Sequence, residues 1–156
     1  MKCEINGVII REFQRHHDQR GWLAELYRHD ELPREFHPTM SYISMTRPGV
    51  TRGPHEHREQ ADLFCFLGSS TFRLYLWDNR SDSPTFDQSW SIDVGEEQHV
   101  LVIVPPGVVH AYRNIGAVDG LVFNAPNRLY AGEGRQSPVD EIRYEDDHDC
   151  RFRIDD

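Results

Sequence analysis

Between residues 41 and 124 the chain is a succession of short runs that suit β-strands, at 41–46, 63–67, 71–77, 89–94, 100–104, 110–114 and 121–124. They recur about every eight to twelve residues with turn-forming residues between them, and almost none carries a helical period. That pattern predicts an all-β chain, an antiparallel sandwich or barrel. Val100-Leu101-Val102-Ile103-Val104 is apolar at every position, so this strand is expected to lie centrally with both faces covered. Upstream, residues 5–13 alternate loosely as a strand, 16–21 read as a turn and 22–28 as a strand half-buried on both sides. Residues 30–36 read as a short helical turn with Asp30 as N-cap and Pro33 in its first turn. Beyond Ala125 the sequence turns polar, rich in Gly and Pro, and then acidic (Glu145 to Asp149, Asp155, Asp156). This tail is expected either to pack over the barrel or to fray. No internal repeat and no linker divides the chain, so one domain spanning 1–156 with a core at about 41–124 is expected.

One polar run interrupts the apolar pattern. It starts at the turn pair Pro48-Gly49, passes through Arg52-Gly53-Pro54-His55-Glu56-His57-Arg58-Glu59-Gln60-Ala61-Asp62 and leads into the apolar Leu63-Phe64-Cys65-Phe66-Leu67. In a strand, residues two apart face the same way, so His55 and His57 share a face. Two imidazoles beside an arginine and carboxylates make either a metal site or an acid–base site. Composition narrows the partners. A formal charge of −9 argues against nucleic acid. Lys2 is the only lysine, which excludes a lysine Schiff base in the middle of the chain. No run approaches the roughly 18–20 apolar residues of a membrane span. Three cysteines (Cys3, Cys65, Cys150) and no secretory leader pattern place the chain in the reducing cytoplasm. His16, His17, His29, His37, His99 and His148 are scattered and read as surface residues.

Pro105-Pro106-Gly107-Val108-Val109-His110-Ala111-Tyr112-Arg113-Asn114 fits the P-x-G-x-x-H-x-x-x-N half of the cupin signature, and Gly49 to His57 fits its G-x-x-x-x-x-H-x-H half. Asp62 stands near the signature's acidic position and Gly68 near its last glycine. The chain therefore resembles the cupins, which implies a double-stranded β-helix, or jelly-roll barrel. A narrower resemblance runs over nearly the whole chain. Asp18-Gln19-Arg20-Gly21-Trp22-Leu23-Ala24-Glu25, Gly49-Val50-Thr51-Arg52-Gly53-Pro54-His55, Asp78 to Thr85, Val104 to His110, Tyr130-Ala131-Gly132 and Ile142 to Asp146 match segments of the dTDP-4-dehydrorhamnose 3,5-epimerase family. The short spacing around His57-Arg58-Glu59-Gln60 is similar to its compact, spore-coat-polysaccharide relatives.

That resemblance implies an epimerase or isomerase that removes a proton next to the ketone of a nucleotide-linked, dTDP-type 4-keto-6-deoxy sugar, in deoxysugar or cell-surface polysaccharide synthesis. It implies a homodimer without cofactor. On it, His55 is the base, Asp146 its carboxylate partner and Arg52 the stabiliser of the oxyanion. Arg20 would reach the diphosphate, typically across a dimer interface, with Trp22 and Glu25 near the nucleotide. His57, Gln60, His110, Tyr112 and Tyr130 would line the substrate pocket. Two positions depart from the family. Its active-site lysine is replaced by Asp62, and its proton-donating tyrosine falls near Phe123 or Asn124, neither of which is an acid. Tyr112 and His57 are the substitutes considered for that donor.

Two other readings use the same residues. In a metal cupin, His55, His57, Asp62 and His110 would bind Fe, Mn, Ni or Zn and leave positions open for substrate. In a non-catalytic module, the cavity would only bind sugar.

Overall fold

The computed structural model describes residues 2–147 and 149–154, so His148, Asp155 and Asp156 lie outside the described residues. Its strands are β1 Ile9–Glu12, β2 His16–Asp18, β3 Gly21–Leu23, β4 Tyr42–Thr46, β5 Thr51–Glu56, β6 Asp62–Phe66, β7 Thr71–Asp78, β8 Ser89–Gly95, β9 Val100–Val104, β10 Val108–Asn114, β11 Gly120–Asn124 and β12 Ile142–Arg143. Two five-stranded sheets, in the orders β1-β9-β6-β11-β4 and β12-β5-β10-β7-β8, pack against each other, and β2-β3 forms a separate hairpin. Every pairing is antiparallel. This is the antiparallel all-β architecture that the short runs predict, in the jelly-roll form that the resemblance implies. No helix among the described residues is long and apolar enough to cross a membrane.

Period-two alternation decides what fills the space between the sheets. Phe64 and Phe66 of β6, Phe72, Leu74 and Leu76 of β7, Val100, Val102 and Val104 of β9 and Val122 of β11 form one core. Their out-of-phase neighbours Leu63, Cys65, Leu101 and Ile103 point to the other face of the first sheet. Leu32 covers them there, with partly buried Leu26 and Phe36. Thus β6 and β9 are buried on both faces, which is why those two runs contain almost no polar residue.

The N-terminal third is less regular than its alternation predicts. The strand expected over 5–13 narrows to β1, and that expected over 22–28 narrows to β3. Residues 16–23 form a two-stranded hairpin where a bare turn over 16–21 is expected. The helical turn is a single 3-10 turn at Arg34–Phe36, with Pro33 instead of Asp30 at its N-cap. Of these N-terminal strands only β1 joins a large sheet, through β9, so no ladder extends the others into longer strands. The acidic tail does pack over the barrel. β12 pairs with β5, the Tyr144 amide donates to Pro54 O (2.9 Å), and the Tyr144 hydroxyl donates to the buried Glu56 (2.6 Å).

Candidate active site

A cavity of about 750 Å³ opens between the two sheets at the end where β4, β5, β10 and β11 meet, roofed by residues 126–143. This volume suits a bound small molecule. The register brings the two halves of the sequence signature together, with His110 opposite His55 and Tyr112 opposite Arg52. A bulge between His110 and Tyr112 sets the single residue Ala111 of β10 against Gly53 and Pro54 of β5. Gly53 makes this close approach possible. Its φ is +91°, and a Cβ there would come within 2.6 Å of His110 O.

His55 and His57 both reach the cavity, as their spacing predicts, but they meet different surroundings. His55 Nε2 lies 2.7 Å from Glu145 Oε1, and its Nδ1 lies 3.6 Å from Glu141 Oε1. A carboxylate accepts only from N–H, so Glu145 fixes the proton on Nε2 and leaves Nδ1 as the basic nitrogen. Both carboxylates arrive on the C-terminal segment, where β12 sets Arg143 opposite His55. Asp146, the partner expected from sequence, is exposed, and the position beside His55 is taken by Glu145. The one-residue difference follows from Tyr144, which turns to Glu56 and sends its neighbour to the imidazole.

His57, Asp62 and His110 are buried together. Asp62 Oδ2 receives His57 Nε2 at 3.0 Å and His110 Nε2 at 3.2 Å, while Gln60 Nε2 donates to Asp62 Oδ1 at 2.8 Å. On their far sides, His57 Nδ1 meets the Asp140 carbonyl and His110 Nδ1 the Val108 carbonyl (3.2 Å). Burial alone would lower the His57 pKa, but the hydrogen bond and charge of Asp62 reverse this and push it up to about 9. Burial would likewise raise Asp62, yet hydrogen bonds from His110 and His57 hold its carboxyl well below the usual range. The Asp140 carboxylate accepts from the amides of Arg58, Glu59 and Gln60 (2.8–2.9 Å), which ties the roof to the end of β5. The ligand atoms of His57, Asp62 and His110 lie within 4.8 Å of one another, so among the described residues these three could hold a metal ion. The four-ligand set with His55 is not assembled, because Glu145 and Glu141 engage that ring.

Arg52 lies on the cavity wall, with Nε donating to Thr46 Oγ1 (2.9 Å) and Nη2 to the Met45 carbonyl (2.7 Å). Gln60, Tyr112 and Tyr130 also line the cavity. Tyr112 shares a hydrogen bond with Ser44 (2.9 Å). Arg20, Trp22 and Glu25 do not line it. Arg20 pairs with Asp18 in the β2–β3 hairpin, Trp22 rests on His99, and Glu25 borders a smaller separate hollow. Glu141, Glu145, Asp140 and Tyr42, which no sequence motif singles out, are brought to this place by the structure. The acidic composition of the tail was visible in the sequence. Which of its carboxylates turns inward had no local signal.

The family model described as dTDP-4-dehydrorhamnose 3,5-epimerase matches residues 2–146. The chain is 40% identical over 128 residues to the "Probable low-salt glycan biosynthesis epimerase Agl13" of Haloferax volcanii, covering 81% of each. It is 37% identical over 112 residues to the "Spore coat polysaccharide biosynthesis protein SpsL" of Bacillus subtilis, covering 72% of this chain and 73% of that one. Its fold is similar to that of the dTDP-6-deoxy-D-glucose-3,5-epimerase of Legionella pneumophila, solved in complex with dTDP-4-keto-L-rhamnose. That match has a TM-score of 0.76 at 21% identity and covers 92% of this chain and 75% of the other. The chain belongs to the dTDP-4-dehydrorhamnose 3,5-epimerase family.

Proposed function

We propose that this chain epimerises a dTDP-linked 4-keto-6-deoxy sugar in polysaccharide or glycan biosynthesis, with His55 as the base. Family membership supports the reaction class. The observation that carries the residue assignment is the clamped imidazole: His55 lies on the wall of a ligand-sized cavity between Glu145 and Glu141. A proton on a carbon next to a ketone is acidic enough for an imidazole to remove, provided the enolate oxygen is stabilised. His55 Nδ1 takes that proton, and the two carboxylates stabilise the imidazolium that results. Arg52, anchored to Thr46 and Met45, presents its charge to the developing oxyanion. Arg128 and Arg135 line the same cavity, and their forked N–H groups suit the diphosphate.

The exposed β2–β3 hairpin, with Trp22 48% and Leu23 64% accessible, is the element that would reach a neighbouring copy's cavity with Arg20 and Glu25 in a homodimer. Three free cysteines fit a cytoplasmic setting. The test is incubation of the purified protein with a dTDP-4-keto-6-deoxy sugar in D₂O. Deuterium should enter at a carbon next to the ketone, and one or two centres should invert. Tight binding with no exchange would leave only a sugar-binding module.

A further inference from the structure

Inversion needs a second proton source. His55 strips one face of the carbon, so the new proton must come from the other, and no acid occupies Phe123 or Asn124 on β11. The register of the first sheet shows what stands beside them. On β4, Tyr42 pairs directly with Asn124, and the two residues line the same cavity. β4 belongs to one sheet and β5, which carries His55, to the other, so Tyr42 and His55 approach the cavity from facing walls. The other two tyrosines that line the cavity are placed differently. Tyr112 stands on β10, in the same sheet as His55, and its hydroxyl is engaged by Ser44. Tyr130 lies outside both sheets, in the roof.

From this arrangement we infer that Tyr42 is the catalytic acid of this chain, returning a proton to the face of the sugar opposite His55. The inference rests on the epimerase reading above and assigns its missing step. Three features of the wall support it. The Tyr42 hydroxyl has no hydrogen-bond partner among the described residues, so it is available to a ligand. Although 46% of Tyr42 stays accessible, desolvation at the cavity wall, together with the negative charge of Asp62, moves the phenol above its ordinary pKa and keeps it protonated. Beside it, Asn124 Oδ1 is the one buried side-chain polar atom without a partner among the described residues, an acceptor at the cavity wall where a sugar hydroxyl would be read.

The step balances within the chain and water. His55 Nδ1 takes the proton as the C–H pair forms the enolate double bond and the carbonyl pair moves to oxygen. The oxygen pair then returns, the carbon takes the Tyr42 hydroxyl proton, and solvent reprotonates the phenolate and deprotonates His55. Moving the acid from β11 to the cross-strand position on β4 keeps it on the same sheet and the same face, because directly paired residues in an antiparallel ladder project together.

Tyr42→Phe separates this step from the first one. In D₂O the variant should still place deuterium in recovered substrate, returned by His55 with retained configuration. Formation of inverted product should fall by about a hundredfold or more. Tyr112→Phe and Tyr130→Phe line the same cavity and should lower exchange and inversion in parallel, leaving the ratio of the two at its wild-type value. Inversion at the wild-type rate by Tyr42→Phe, or selective loss of inversion in either of the other two, overturns the assignment. A fluorotyrosine placed at 42 leaves packing nearly unchanged and should move the pH limb of inversion downward, and an unmoved limb overturns it as well. A wild-type protein that neither exchanges nor inverts removes the epimerase reading itself and this acid with it. Exchange without dependence on Tyr42 removes only the acid.

Discussion

His55 and His57 are two residues apart and share a cavity, yet they occupy opposite electrostatic settings. The His55 side chain keeps 21% of its surface exposed and is flanked by two carboxylates that arrive from residues 141–145. His57 keeps 9%, and its charge is locked to Asp62, with His110 completing the buried group. A partly exposed ring between two carboxylates at the cavity wall has the setting that the proposed proton transfer needs. A ring held as an imidazolium against a buried aspartate gives up its proton less readily, and through Asp62 it is tied to β6 and to His110 of β10. The lesson is that an H-x-H pair does not define one site. What each ring does depends on which distant carboxylate the fold brings to it.

The largest effect that would break this contrast is at His55. His55→Ala should lower proton exchange by about a hundredfold to ten-thousandfold while the circular dichroism spectrum stays that of the wild type. Glu145→Gln should lower exchange by about tenfold to a hundredfold, the worth of one hydrogen bond to a charged group. Asp146→Asn should stay within about twofold, as befits an exposed residue. Reversal of the last two effects would return the partnership to Asp146.

The buried group should show itself in stability instead. Asp62→Asn leaves His57 charged without its counterion and should cost about 3–5 kcal/mol, read from urea denaturation. Its pH signature has a definite sign. The His57 pKa is raised from 6.5 to about 9, so its contribution is complete below about pH 6.5 and is lost as pH rises through 9. The Asp62 pKa is depressed, so its contribution is present above the ordinary carboxylate range and is lost only as pH falls. Wild-type stability should therefore decline between pH 6.5 and 9, and Asp62→Asn should flatten that decline. A slope unchanged by the substitution would mean that His57 is not the titrating group.

The smallest effect expected is from metal removal. If the proposed base is the carboxylate-held imidazole of His55, dialysis against a chelator should leave exchange within about twofold of its starting rate. Stoichiometric metal in the purified protein, together with loss of exchange on chelation, would turn His57, Asp62 and His110 from a structural cluster into a metal centre.

Much of the barrel could be read from local pattern. The unbroken apolar run of β9 and the period-two core positions of β6 and β7 depend on neighbours along the chain, and they appear where expected. Arg52, His55, His57, Gln60, His110, Tyr112 and Tyr130 were also legible as cavity residues, because two compact motifs carry most of them. Alternation alone overextends the N-terminal strands, because most of β1 and all of β3 stay out of the core.

The sequence by itself determined the strand series, the two histidine-bearing motifs and the departures at Asp62 and Asn124. Only the tertiary structure decided that Glu145 rather than Asp146 meets His55, that Asp62 binds two imidazoles at once, and that Tyr42 stands on the wall facing the base. The physical reason is distance along the chain. Strand periodicity is set by residues two apart, whereas each of these contacts is made by cross-strand register and the closing of one sheet on the other. Here 90 residues separate His55 from Glu145, and no pattern local to either end records the meeting.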